Sequence, residues 1–260
     1  MVEGKRNARS GLASVASLTV KTLGTVDEFW SEDVGCSREM LRSDETIVVP
    51  HPDQYSEFTG IFILLIDSAP IISLPPDLYS SLCNKAREWT ASQVVDSQCL
   101  RSLIGHRVDR IIGPAFVGYT EPGMFLTVEA SSTAILGKEQ AEQLASLRAA
   151  CDPIEWEHGG RQFGENPAVG VFIGRELIAL AGYDIWGDRI AHISIVTHPR
   201  YRRHGYGCAA VSRLTEIALE RGLVPQYRTL DSNTGSIKIA AKLGFTRYAT
   251  TMTVRLHPRP

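Results

Sequence analysis

The stretch Arg200-Tyr201-Arg202-Arg203-His204-Gly205-Tyr206-Gly207 sets three arginines and a histidine against two glycines. It follows an apolar, β-branched run, Ile190–Thr197, which reads as a strand. After it, Ala210, Val211, Leu214, Ile217 and Ala218 share one face of a helix predicted over Gly205–Arg221, with Gly222 as its stop. A strand, a glycine loop and a helix in this order aim backbone N–H groups and a helix N-terminus at one point, a natural anion site. Gly205 and Gly207 carry no side chain to hold an anion off the backbone, and Arg202 and Arg203 can add charge-assisted hydrogen bonds. The glycines match neither the nucleotide P-loop, which needs Gly-Lys-Ser/Thr, nor the dinucleotide fingerprint of three glycines.

Around this unit the pattern is regular. Lys138–Ala150 reads as an amphipathic helix with Ala141, Leu144, Ala145 and Leu147 towards the core. Val169–Ile173 and Leu177–Tyr183 flank a turn at Gly174-Arg175. Tyr227–Leu230 is a short strand, Asn233 caps a helix that ends at Leu243-Gly244, and Thr246–Leu256 alternates as a closing strand. In the first half, Thr25-Val26-Asp27-Glu28 has capping-box spacing and opens a short helix through Trp30. Strands follow at Thr46–Val49, at Gly60–Ile66 with Pro70–Leu74 as a hairpin, and at Val108–Ile112. Between the last two, Pro75-Pro76-Asp77 starts a helix running to Thr90. The turn Pro122-Gly123 suggests a boundary, giving an N-terminal α/β domain over 1–124 and a second domain over 125–260.

Bulk composition narrows the function. Lys plus Arg number 27 and Asp plus Glu 29, a net charge of −2, which argues against a nucleic-acid binder and makes the basic cluster a local feature. Apolar residues at 43% suffice for a buried core. The five cysteines, Cys36, Cys83, Cys99, Cys151 and Cys208, form no CxxC pair, so a disulfide framework or zinc site is not expected and a reducing, cytoplasmic setting is. The longest apolar run, Gly60–Ile66, is too short to span a bilayer, and no membrane association is expected. The acid-free stretch from Lys5 to Lys21 has a transit-peptide composition, or is a frayed tail.

The segment Ile195-x-Thr197-x-Pro199-x-x-Arg202-x-x-Gly205-x-Gly207 resembles the acetyl-CoA signature of the GNAT superfamily of N-acetyltransferases. That signature sets Arg or Gln, two variable residues, Gly, one variable residue and Gly or Ala after a strand ending in a Val-x-Pro-like step. Asn233-x-x-Ser236 followed by Lys242-Leu243-Gly244-Phe245 is similar to the family's fifth strand and fourth helix, and the resemblance covers residues 125–256. It implies an α/β (α+β) fold with a mixed central sheet flanked by helices. It also implies transfer of an acetyl group from acetyl-CoA, the donor substrate, to an amine by direct attack on the thioester, without a metal. The backbone N–H groups of Arg203, His204, Gly205, Tyr206 and Gly207 would cradle the CoA pyrophosphate, with Arg202 shaping the loop. The main chain of Ile195, Val196 and Thr197 would pair with the pantetheine arm, and the Ile195 N–H would polarise the thioester carbonyl. Asn233 and Ser236 would lie beside the pantetheine, although Asn233 also reads as a plain N-cap.

The family often places a tyrosine seven residues after the Asn to protonate the leaving thiolate. Here that position is Ala240, which leaves the acid to water or to Tyr248, Tyr206 or Tyr183, each of which also reads as a packing residue. Candidates for accepting the amine's proton are His192 on the central strand and the acids Glu155 and Glu157 of Glu155-Trp156-Glu157-His158. His192 also reads as an ordinary strand histidine and 155–158 as a solvated turn. Asp184 and Asp188 read as turn formers, and Cys208 as a small buried residue rather than a nucleophile. Residues 1–124 carry no named motif. They stay open as a degenerate GNAT-like lobe or as a lid over the acceptor, with His106, Arg107 and Tyr119 as cleft candidates. The acceptor expected is a small-molecule amine, with a protein lysine or N-terminal amine also open, and the assembly a monomer or homodimer. A CoA-binding sensor or scaffold without catalysis is the alternative that Ala240 raises.

Overall fold

Ten strands join into one mixed sheet in the order β1-β3-β2-β10-β4-β9-β8-β7-β6-β5. They are β1 (Ile47–Pro50), β2 (Gly60–Ile66), β3 (Ala69–Leu74), β4 (Val108–Tyr119), β5 (Thr133–Ile135), β6 (Ala168–Ile173), β7 (Glu176–Trp186), β8 (Ile190–Thr197), β9 (Val224–Leu230) and β10 (Thr246–Leu256). The helices are α1 (Val20–Val34), α2 (Arg38–Leu41), α3 (Pro76–Ala86), α4 (Ala91–Val94), α5 (Ser97–Ile104), α6 (Ala141–Ala150), α7 (Pro153–Gly159), α8 (Tyr206–Glu220) and α9 (Thr234–Lys242). The computed structural model describes residues 18–128, 133–161 and 164–257, so most of the stretch from Lys5 to Lys21 lies outside the described residues.

The expected order of helix, three strands, helix, strand, helix, strand holds across α6 to β10, with α7 added. Strands from both sides of the Pro122-Gly123 turn share the sheet. β10 runs antiparallel between β2 and β4, and β4 pairs with β9 from Ala115↔Leu230 to Tyr119↔Gln226. Side-chain alternation sorts the helices onto two faces. Ile193 and Ala191 of β8 pack under α8, whereas Val196 packs with Leu147 of α6 and Trp156 of α7. On that second face, Phe29 and Trp30 of α1 cover Phe62, Tyr119 and Ile190. The first face continues through β10 and β2, where Ile61, Met252 and Val254 meet Ala86, Val94 and Leu100 of α3–α5.

Several boundaries differ from the sequence reading, each for a local reason. α1 begins at Val20, capped by Thr19, so Thr25 lies inside the helix and its hydroxyl donates to Lys21 O at 3.3 Å. Thr90 is not the end of α3 but the cap of α4, with Gln93 completing a capping box, and Asp96 caps α5. β4 continues past Gly113-Pro114 to Tyr119, because a register shift against β10 between Ile112 and Ala115 absorbs the proline. In α6 only Leu147 is buried and Leu144 half-buried, while Ala141 and Ala145 are exposed. The 155–158 turn is helix α7, whose Asp152 cap and Pro153 start were the missed signal.

Glu121 ties the first helix to the sheet. Its carboxylate is buried and accepts from the Thr22 hydroxyl, from Thr19 Oγ1 at 2.7 Å and from Thr19 N at 2.8 Å. Burial opposes the charge, but these donors hold the carboxyl below its ordinary 4.5. A group with a depressed folded value stabilises fully above the unfolded value and loses that contribution as pH falls through the folded one. Glu121→Gln should therefore cost about 1–2 kcal/mol at pH 7. The gap from the native chain should close in denaturant titrations at progressively lower pH below 4.5.

Candidate active site

β8 and β9 run parallel but pair only from Ile190↔Val224 to Ile193↔Tyr227. Beyond that rung they diverge, while β8 stays paired with β7 up to Ala179↔Thr197. His198 N donates to Ile178 O at 2.8 Å, which fixes the direction of the β8 amides. By the period of two, even-numbered residues turn their N–H groups to β7, and Ile195 and Thr197 turn theirs to the wedge between β8 and β9.

The quoted loop closes the mouth of this wedge. A short 3₁₀ turn, Pro199–Tyr201, follows β8, and α8 starts at Tyr206. Arg203 adopts φ 67° and Gly205 φ 89°, both left-handed. No side chain caps α8, so the N–H groups of its first turn, from Tyr206 to Cys208, project beyond the helix. Gly207 sits so close to β8 that an added Cβ would lie 2.8 Å from Thr197 Oγ1. Arg202 is held on the loop's inner side, donating through Nε to Thr197 O at 3.2 Å and pairing with Glu155 at 2.6 Å. His204 Nδ1 meets Arg202 O at 2.8 Å, and Tyr206 stacks on His204. Across the wedge, Asn233 caps α9 by accepting from Ser236 N at 3.1 Å.

Other expected site residues separate. Glu155 is the Arg202 partner at the loop, and Glu157 is exposed on α7. Tyr248 is not brought to the wedge. It lies on β10, three strands from β8, or roughly 14 Å at the usual strand spacing. Its hydroxyl donates to Asp27 Oδ1 at 2.9 Å, and burial pushes its pKa far up. Tyr183 faces α8, where its hydroxyl accepts from Arg221 at 3.1 Å. Cys208 is buried, and burial raises its thiol pKa, as befits a packing residue. Asp188 does form the turn, at φ 58° after Gly187 at φ 53°. Asp184 instead stands in β7 opposite His192 and pairs with Arg161 at 2.7 Å. His106 is exposed and Arg107 pairs with Asp77 at the far end of β4.

His192 lies beside the wedge on the α1 face. Its ring stacks on Trp186 at 3.8 Å between centroids, and Nδ1 is 2.7 Å from Gln226 Oε1. An amide oxygen can only accept, so Nδ1 carries the hydrogen and Nε2 keeps a free lone pair. Behind it, Gln226 Nε2 and Trp30 Nε1 both donate to the Tyr119 hydroxyl, which orients the chain of side chains that holds the ring. Burial pushes the imidazole down to about 4, so His192 is neutral at physiological pH. Tyr119 is thus buried behind the cleft rather than in it. Ala240 is packed in the α8–α9 core with Tyr227.

Sequence reasoning missed a cavity of about 670 Å³ on the same face, lined by Phe29, Trp30 and Asp33 of α1, by Tyr55, by Trp186 and by Arg228. Its signal was Arg228 itself, a lone charge at an inward position of β9.

The acetyltransferase (GNAT) family matches residues 138–245. No curated protein sequence matches the chain with significance. Among solved structures, a GNAT-family protein from Novosphingobium aromaticivorans is 25% identical, covering 59% of this chain and 68% of its own at a TM-score of 0.47. A GCN5-related N-acetyltransferase from Kribbella flavida is 21% identical over 62% and 64% at 0.47. An acetyltransferase from the GNAT family of Colwellia psychrerythraea is 17% identical over 61% of each chain at 0.46. The chain spans between 61% and 68% of those solved chains. No helix among the described residues is long and apolar enough to cross a membrane. With the signature loop, the parallel pair before and after it and the matched segment in one place, residues 138–245 are a domain of the GNAT family of acetyltransferases.

Proposed function

We propose that the protein moves an acetyl group from acetyl-CoA to the amine of a small molecule by direct attack on the thioester. The observation that carries this reading is the parting of β8 from β9 after Ile193↔Tyr227, with the glycine loop at its mouth. In this reading the N–H groups from Arg203 to Gly207 hold the pyrophosphate, and Arg202, fixed by Glu155, keeps the loop in shape. The wedge-facing amides of Ile195 and Thr197 bind the pantetheine arm as an added strand would, and the Ile195 N–H withdraws charge from the thioester carbonyl. Asn233 and Ser236 border the same arm. The N-terminal 124 residues supply one wall of the acceptor side through α1 and Tyr55. A cytoplasmic protein, monomeric or dimeric, suits the five free cysteines.

His192 accepts the amine's proton at Nε2 as the new bond forms. Its burial keeps it ready, because it stays unprotonated down to about pH 4. The same burial makes it a weak base, so its contribution falls below the ~100-fold of a well-tuned one. His192→Gln should lower kcat about tenfold and leave acetyl-CoA affinity unchanged. Any acid limb near pH 4 that the native enzyme shows should vanish in the variant. Thiol release from acetyl-CoA in the presence of an amine panel, with mass detection of the acetylated product, tests the function as a whole. Acetyl-CoA binding without thiol release for any amine would favour the sensor reading that Ala240 raises.

A further inference from the structure

The cavity beside the wedge holds a guanidinium with no ion pair among the described residues. Arg228 lines it from β9, the first residue past the last β8–β9 rung. Its guanidinium donates to Thr251 Oγ1 at 3.1 Å and lies 5.8 Å from the Phe62 ring centroid. Among the described residues it has no carboxylate within ion-pair distance. Asp33 is near enough to be felt, but Asp33 Oδ2 accepts from the Tyr55 hydroxyl at 2.7 Å instead. Arg228 is half-buried, and Thr251 Oγ1 takes one of the five donors of its guanidinium, which leaves others for a ligand in the cavity. Phe29, Trp30, Tyr55 and Trp186 give it aromatic walls, and Glu32, Asp33 and Gln54 add polar groups at its α1 and Tyr55 side.

We propose that this cavity is the acceptor pocket and that Arg228 receives a carboxylate there, so the acceptor is an amino carboxylic acid. That the cavity takes the acceptor rests on the acetyl-transfer reading, and that Arg228 receives a carboxylate rests on the cavity alone. The carboxylate takes the guanidinium as a two-toothed fork, the apolar body lies against the aromatic walls, and the amine extends along β9 towards His192 and the wedge. A phosphate suits the site less, because one arginine cannot satisfy its double charge. A simple hydrocarbon amine would leave the half-buried guanidinium without a counter-charge.

The test is a panel of amino carboxylic acids whose amine and carboxylate are set one to five carbons apart, each assayed beside its primary carboxamide. The expected result is at least one acid acetylated with kcat/KM about 100-fold above its amide, a ratio that falls to near one in Arg228→Met and partly survives in Arg228→Lys. Calorimetry of the donor-free protein with 3-phenylpropionate against 3-phenylpropionamide reads the cavity without any turnover, with heat expected for the acid alone. Amides acetylated as well as their acids across the panel would overturn the proposal while leaving acetyl transfer standing. A protein that fails to bind acetyl-CoA would overturn that wider reading, and the 3-phenylpropionate titration would then decide the carboxylate site. Should Arg228→Met fail to fold, the acid-to-amide ratio of the native protein and of Arg228→Lys settles the matter.

Discussion

A fragment of residues 125–260 is expected not to fold, although it contains every residue of the matched domain. Its last strand, β10, has both of its neighbours, β2 and β4, in the first 124 residues. β9 would also lose β4 and become an edge. Ala249, Met252, Val254 and Leu256 on β10 are buried, and each larger side chain contributes about 2 kcal/mol by leaving water. Exposing them together costs on the order of the whole 5–15 kcal/mol stability of an ordinary domain. Thermal unfolding followed by near-ultraviolet circular dichroism should show no cooperative transition for the fragment. Adding a fragment of residues 1–124 should restore one. A fragment that melts cooperatively alone would mean that β10 can find another partner.

Gly205→Val is expected to weaken acetyl-CoA binding about 100-fold, or some 2.7 kcal/mol, with little change in melting temperature. Gly205 stands at φ 89°, a conformation that a β-branched residue almost never adopts. No atom would touch the added Cβ, so the cost is conformational rather than steric. The loop is exposed, and it can relieve the strain by rearranging locally while α8 and its buried face stay in place. Rearrangement scatters the N–H groups that α8's first turn and the loop turn to one point, and with them the anion site. Isothermal titration of the variant reads the loss directly. Affinity within threefold of the native protein would show that the loop does not hold the pyrophosphate.

What could be read from the sequence follows from how local each signal is. The loop, the strand before it and the helix after it are contiguous, and their pattern is written in adjacent residues. β8 was legible to the residue for that reason, and α8 and α9 within one or two. The place of β10 was not legible, because alternation announces a strand but not its neighbours, and these lie more than a hundred residues away. Glu155 and Glu157 looked equivalent in sequence, yet α7 turns one to Arg202 and leaves the other exposed. Tyr248 looked available until β10 carried it into the α1 core. Arg228 drew no attention because its meaning depends on α1 and Tyr55 closing over it from the distant N-terminal half.

The same dependence explains the role of the N-terminal half. Tyr119, from that half and itself bonded by Trp30, holds the amide that holds His192. In the proposed reading the donor side of the site is built by residues within the matched segment, and the acceptor side is completed by residues outside it. In that reading the acceptor is set by the N-terminal sequence more than by the matched segment.

Calorimetric titration of the full chain with acetyl-CoA tests the central claim most directly. One site with a dissociation constant in the micromolar range, competed by CoA and lost in Gly205→Val, is the predicted result. No heat at millimolar acetyl-CoA would contradict it.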